Sequence, residues 1–273
     1  MEKETLSTTR IQEIQDKLES LGDRSKKKKG ARFILSALSS IPWVGGFLSA
    51  SSALHSEIEQ GKVNSLQQLW LEEHQEKINY LAETIFEIIS RLENFPESEE
   101  RLESEEYLTL VKKGFRVWDK SDTNDKKDII RKLLTNAGAK ELCTDDLVRL
   151  FIDWIELFHE AHFVVIKEIY QNLGITRGKI WDKVNETRPP ENSAQADLYK
   201  MLFRDLSTSG VIRQHKPVNA YGQFIKQPPK KRGITSTHKS AFDDSEPYEL
   251  TELGEQFVQY ALNEVVPKIE SKN

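Results

Sequence analysis

Glu156, His159 and His162 fall at i, i+3 and i+6 of one apolar-periodic run, with Glu160 beside them. A Glu-x-x-His step lets one helix offer a carboxylate and an imidazole to a metal, but a bundle site of that kind needs a second such pair on another helix. The sequence contains none, and the His-Glu-Ala-His quartet is not the spacing that puts two imidazoles on one zinc. Packed or surface histidines are therefore expected, with no metal. Asp122, Asp125, Asp128, Asp145 and Asp146 stand where helices begin, which suits the helix dipole without any catalytic role. The single cysteine, Cys143, excludes an intramolecular disulfide and a multi-thiolate zinc site. Without a glycine-rich phosphate loop, a GxSxG elbow or a paired Cys/His signature, neither a catalytic residue nor a cofactor is expected.

The remaining chemistry is that of charge. The whole chain carries a formal net charge of -5, yet residues 175–242 hold thirteen Lys or Arg against five Asp or Glu, a balance of +8. Lys226, Lys230, Lys231, Arg232 and Lys239 crowd its second half, with Tyr221 and Phe224 interleaved. Such cations contact phosphates in a salt-sensitive way and position a domain without reading bases; the alternative is a solvated loop without a ligand.

A second basic run, Lys26, Lys27, Lys28 and Lys29, precedes 22 uncharged residues, 33–54. About 20 apolar residues cross a bilayer, and flanking cations orient them. Against a stable span, six of the 22 are serines, and Pro42 with Gly45 and Gly46 interrupts the middle. A hairpin of two short helices fits better, bearing Phe33, Trp43 and Phe47 as its large side chains. It has two principal destinations, the protein's own core or oligomer interface and an anionic membrane surface, with a single-pass helix as the third.

These groups need elements to hold them. Ile11, Ile14, Leu18 and Leu21 form a short heptad-like seam, and Ile78, Leu81, Ile85, Ile88 and Leu92 a longer one within residues 64–92. Pairing the two seams around the uncharged segment is the simplest packing. Helices follow over 100–120, 124–136 and 144–173, the last broad in its hydrophobicity. A short helix over 175–184 and a third over 194–209 complete a set, with Leu198, Met201, Leu202 and Leu206 inward and Gly210 as left-handed cap. Strands are expected at Val211–Ile212 and around Tyr248–Leu250 only, before a last helix lined by Leu253, Phe257, Tyr260 and Ala261. On the third helix Gln195, Tyr199, Lys200 and Arg204 point outward; Gln can pair with adenine and Arg with guanine. Asp197 and Asp205 share that helix and would repel phosphates. The fold class is mainly α: a helical bundle or coiled-coil region with an uncharged hairpin (1–98), a helical middle (99–157), and a C-terminal winged helix with a small β wing (158–273).

Gly-Val-Ile-Arg-Gln after the third helix, and Tyr-Glu-Leu-Thr-Glu-Leu-Gly before the last, resemble winged helix-turn-helix domains of the MarR and PadR type over roughly residues 158–265. That resemblance implies a third helix able to enter a major groove and a wing able to touch the neighbouring backbone. The wing, residues 216–248, is longer than the simple type. The layout of the whole chain is similar to alpha-type abortive-infection antiphage proteins. Together these imply a non-catalytic nucleic-acid-binding or docking protein in a bacterial regulatory or phage-defence setting, with duplex DNA, a protein partner or a second copy through the helical seams as partners. The alternative is a membrane-associated effector that inserts residues 33–54 at an anionic membrane surface. The polar N-terminus carries no cleavable secretory signal at the usual place, so the cytoplasm is expected, or the inner face of the membrane.

Overall fold

A computed structural model describes residues 31–44, 65–92, 95, 98–139, 143–215, 221, 225 and 240–263 of the chain. The expectations resting on Ile11, Ile14, Leu18 and Leu21, on Lys26, Lys27, Lys28 and Lys29, on Gly45, Gly46 and Phe47, and on Phe224, Lys226, Lys230, Lys231, Arg232 and Lys239 lie outside those residues. The fold is mainly helical with one small three-stranded antiparallel sheet. Its contacts divide it into two units. One takes the described residues up to Leu157 together with Tyr260 to Asn263; the other is Phe158–Gln259.

The first unit is built from α1 (Ala31–Ser39), α2 (Ser65–Leu92), α3 (Ser98–Glu103), α4 (Glu105–Lys120), α5 (Asn124–Ala139) and α6 (Asp145–Leu157). Helix α4 is central, packed against α1, α5 and α6. Its buried face includes Tyr107, Leu110, Val111, Phe115 and Trp118. The seam Ile78, Leu81, Ile85, Ile88 and Leu92 is also buried, on a helix that packs along α5. A single helix expected over 100–120 is instead broken at Ser104. That residue is extended, its hydroxyl accepts the Tyr107 amide at 3.3 Å, and Glu105 and Glu106 fill the first turn of α4. A serine cap with acids behind it outweighs helical continuity.

The described half of the uncharged segment belongs to this core. Phe33 is fully buried between Tyr107, stacked at 6.1 Å, and Phe115, edge-on at 6.2 Å. Ile34, Ala37, Ile41 and Val44 are buried with it, while Pro42 is exposed. Trp43 is half-buried; its indole N–H donates to Asp119 Oδ1 at 2.8 Å, and the same carboxylate oxygen takes Lys77 Nζ at 2.7 Å. His74 meets the Trp43 ring edge-on at 4.9 Å. Among the described residues no helix is long and apolar enough to cross a membrane.

The helix expected over 144–173 is two helices, α6 and α7 (Glu160–Gln171), separated at Phe158 and His159. His159 is extended, and its amide donates to His162 Nδ1 at 3.0 Å, so a side chain from the new first turn replaces the helical acceptor. His162 is buried and stacked on Phe158 at 5.0 Å; its Nε2 lies 3.8 Å from Asp205, too far for a hydrogen bond. Burial pushes the His162 imidazole below its ordinary value, against the opposing pull of Asp205. The unfolded chain therefore takes up a proton first as the pH falls below about 6.5. Stability present above that pH is lost as the pH falls through the lower folded value. His162→Gln is expected to flatten the drop in the urea midpoint below about pH 6.5; a drop of unchanged steepness would place that dependence on other groups.

The second unit continues with β1 (Ile175–Thr176), α8 (Arg177–Val184), α9 (Ala194–Thr208), β2 (Ile212–Gln214), β3 (Pro247–Leu250) and α10 (Glu252–Phe257), which runs on as a π-helical turn, Val258–Leu262. The sheet order is β1-β3-β2, with Ile175 opposite Tyr248 and Ile212 opposite Leu250. A strand before α8 corrects the expectation of strands in the wing alone. Ile175 and Thr176 pair with β3, and the Thr176 hydroxyl accepts the Lys179 amide at 3.4 Å, so helix α8 begins two residues later than its apolar spacing suggests. Gly210 closes α9 at φ +76°; Val211 N–H reaches Leu206 O and Gly210 N–H reaches Ser207 O, the paired bonds of a left-handed helix cap. Ile166, Ile180, Phe203, Leu206, Ile212, Leu250 and Phe257 form the core of this unit.

Candidate nucleic-acid interface

Helix α9 is capped by Ser193, whose hydroxyl accepts the Ala196 amide at 3.2 Å, so its register on the unit is fixed from the first turn. That register differs from the one read off the apolar residues. The buried positions are Ala196, Tyr199, Leu202, Phe203 and Leu206, whereas Leu198 is 50% exposed. Tyr199, expected to face a ligand, is therefore a core residue. Its ring packs against Trp181 at 4.9 Å and Phe203 at 5.2 Å, and its hydroxyl donates to Arg177 O at 2.7 Å. Two aromatic rings bury more area than Leu198 and Met201 would, and the one polar atom they bring in finds an acceptor. Burial pushes the Tyr199 phenol further up from its usual range.

The other three candidates stay outward or at the margin. Gln195 is exposed. Arg204 is exposed and lies 3.5 Å from Asp205. Lys200 is half-buried, with Glu191 at 3.4 Å and Asp197 at 4.0 Å. The charges of this helix, Asp197, Lys200, Arg204 and Asp205, cancel. Its outward face is thus polar and neutral with an exposed leucine, a poor attractor of phosphates.

The cations gather instead in residues 216–239, which hold six Lys or Arg and no Asp or Glu. Of this stretch Tyr221 and Ile225 are described, and both are exposed. Both limbs of the loop are anchored. On the outgoing side Arg213 Nε donates to Glu249 at 2.6 Å, the other Glu249 oxygen takes His215, and the His215 amide donates to Pro247 O at 2.8 Å. On the return side the Ser240 hydroxyl and the Ala241 amide both donate to Glu191, holding its carboxyl below the usual range. Phe242 is buried, 4.9 Å from Trp181 and stacked at 5.8 Å on Tyr199. The return limb therefore docks beside the start of α9 before the chain pairs back onto β2 as β3.

Sequence reasoning missed this return limb. Its signal was Phe242, an aromatic followed by two aspartates at the end of a polar stretch; an apolar residue so placed marks where a loop docks. Glu156, His159 and His162 do other work: Glu156 pairs with Lys120 at 2.9 Å, and the two histidines make the turn into α7. Among the described residues no group of three or more His, Cys, Asp or Glu could hold a metal. No protein-family model, curated protein or solved structure matches the chain.

Proposed function

We propose that Phe158–Gln259 works as a winged helix that binds duplex nucleic acid through its backbone, without catalysis and with little reading of bases. The observation that carries this is the acid-free run of six cations in residues 216–239, whose outgoing limb is bonded to β3 and whose return limb is bonded to Glu191, just before α9. The order helix, strand, helix, helix, strand, loop, strand, with β3 central, supports the winged-helix reading. The cancelled charge of α9 favours phosphate contact by the loop over base contact by the helix.

Fluorescence anisotropy with a mixed-sequence DNA duplex, titrated at salt from about 50 to 200 mM, tests the proposal. Affinity should fall steeply and linearly on a log–log plot, and change little between duplexes of different sequence. Binding too weak to measure at the lowest salt would end it.

A further inference from the structure

We infer that Arg188 is a positioning residue and not a phosphate contact: it ties α8 to the return limb and so fixes where the basic loop rejoins the unit beside α9. This rests on the winged-helix reading. By sequence Arg188 is one of the cations of the +8 segment, in the turn between α8 and α9.

Its guanidinium is already engaged. Nε and Nη2 donate to the two oxygens of Asp182 at 2.8 and 2.7 Å, the forked geometry that suits arginine and carboxylate. Nη2 also reaches Asp244 Oδ2 at 3.1 Å, and Nη1 reaches Phe242 O at 3.4 Å. The second Asp244 oxygen accepts the Thr176 hydroxyl at 2.7 Å, and the Gly178 amide donates to Asp243 O at 3.3 Å. The limb lies directly on the backbone of α8: a Cβ added at Gly178 would stand 2.6 Å from Arg188 Nη2 and 2.7 Å from Phe242 O. One guanidinium between two carboxylates leaves a local charge of about -1, which repels a phosphate. Isolated surface pairs contribute little, but bidentate geometry within a network is the case where they matter. Here the network ends on a limb whose Phe242 is buried against Trp181 and Tyr199.

The test uses the full chain with Arg188→Ala, Arg188→Lys, Asp182→Asn and Asp244→Asn. Duplex affinity is measured across salt, and amide exchange at Gly178 and Ala241 is measured without DNA. Removing a carboxylate ordinarily strengthens phosphate binding. Positioning gives the opposite sign: Asp244→Asn should bind about fivefold more weakly, and Arg188→Lys should not rescue the loss seen in Arg188→Ala. The salt slope should stay that of the wild type, and both amides should exchange faster while those of α7 keep their protection. Tighter binding by Asp244→Asn, or a salt slope shallower by about one in Arg188→Ala, would make Arg188 a phosphate contact and overturn the inference. If the wild type binds no duplex, the winged-helix reading fails by itself, and the exchange measurement still decides the tie: unchanged rates at Gly178 and Ala241 in every variant overturn it. Should Arg188→Ala fail to fold, Asp182→Asn and Arg188→Lys, which keep the bulk of each side chain, carry the same comparison.

Discussion

Replacing Lys230, Lys231 and Arg232 together by alanine is expected to make the salt dependence of duplex binding shallower by about 2.7 log units per log unit of salt, at about 0.9 for each phosphate no longer neutralised. Replacing all three by glutamate should abolish measurable binding near physiological salt. The fold should survive both changes, because the loop is held by contacts outside it: Arg213 and His215 to Glu249 on one limb, Ser240 and Ala241 to Glu191 on the other. Gln195→Ala with Arg204→Ala serves as the contrast. Those side chains lie on a helix whose charges cancel, so their loss should change affinity modestly and nearly equally for every duplex. Anisotropy titrations of the three variants, with far-UV circular dichroism as the check on folding, measure this. Wild-type affinity in the triple alanine variant, together with loss of binding in the α9 variant, would move the interface from the loop to the helix.

The sequence made some of this legible and hid the rest for physical reasons. Long amphipathic faces are legible where one side of a helix is wholly covered, as with Ile78 to Leu92 in α2. Helix breaks were harder. Ser104 and His159 stop their helices by a local hydrogen bond, and nothing in the apolar period marks a stop that costs no apolar residue. Strand β1 was hidden similarly, since two residues carry no periodicity and Ile175 is equally at home at the start of a helix.

The candidate interface was legible as charge and not as orientation. The loop's cations are countable without a structure. The facing of α9 is not, because Leu198 and Tyr199 are adjacent and either could be the inward residue. Trp181, Phe203 and Phe242 decide it by forming an aromatic cluster that only Tyr199 can join. A counted charge is also not a free charge. Lys183 bonds Glu168 and Asn172, Arg188 bonds two aspartates, and Arg213 bonds Glu249. The +8 of residues 175–242 thus overstates what a phosphate would meet among the described residues.

Phe33→Ala is expected to lower the free energy of unfolding by about 3–5 kcal/mol, the range for removing a buried aromatic ring from a packed core. The ring has no solvent exposure and contacts Tyr107 and Phe115, both fully buried on α4. A ring lying on the protein surface would change stability by no more than about 0.5 kcal/mol on removal. Urea unfolding of the full chain, read with an unchanged m-value, separates the two. The same measurement bears on the membrane alternative for residues 33–54. The buried apolar side chains of residues 33–44 can meet lipid only after Phe33, Ile34, Ala37, Ile41 and Val44 leave the core. If release of this kind is what limits lipid contact, loosening the core should promote it, and Phe33→Ala should float with anionic vesicles more readily than the wild type. Equal flotation, alongside the full loss of stability, would show that these residues serve the fold alone. A loss of stability near zero would instead mean that the ring is not held between Tyr107 and Phe115, and the core assignment of this segment would fall with it.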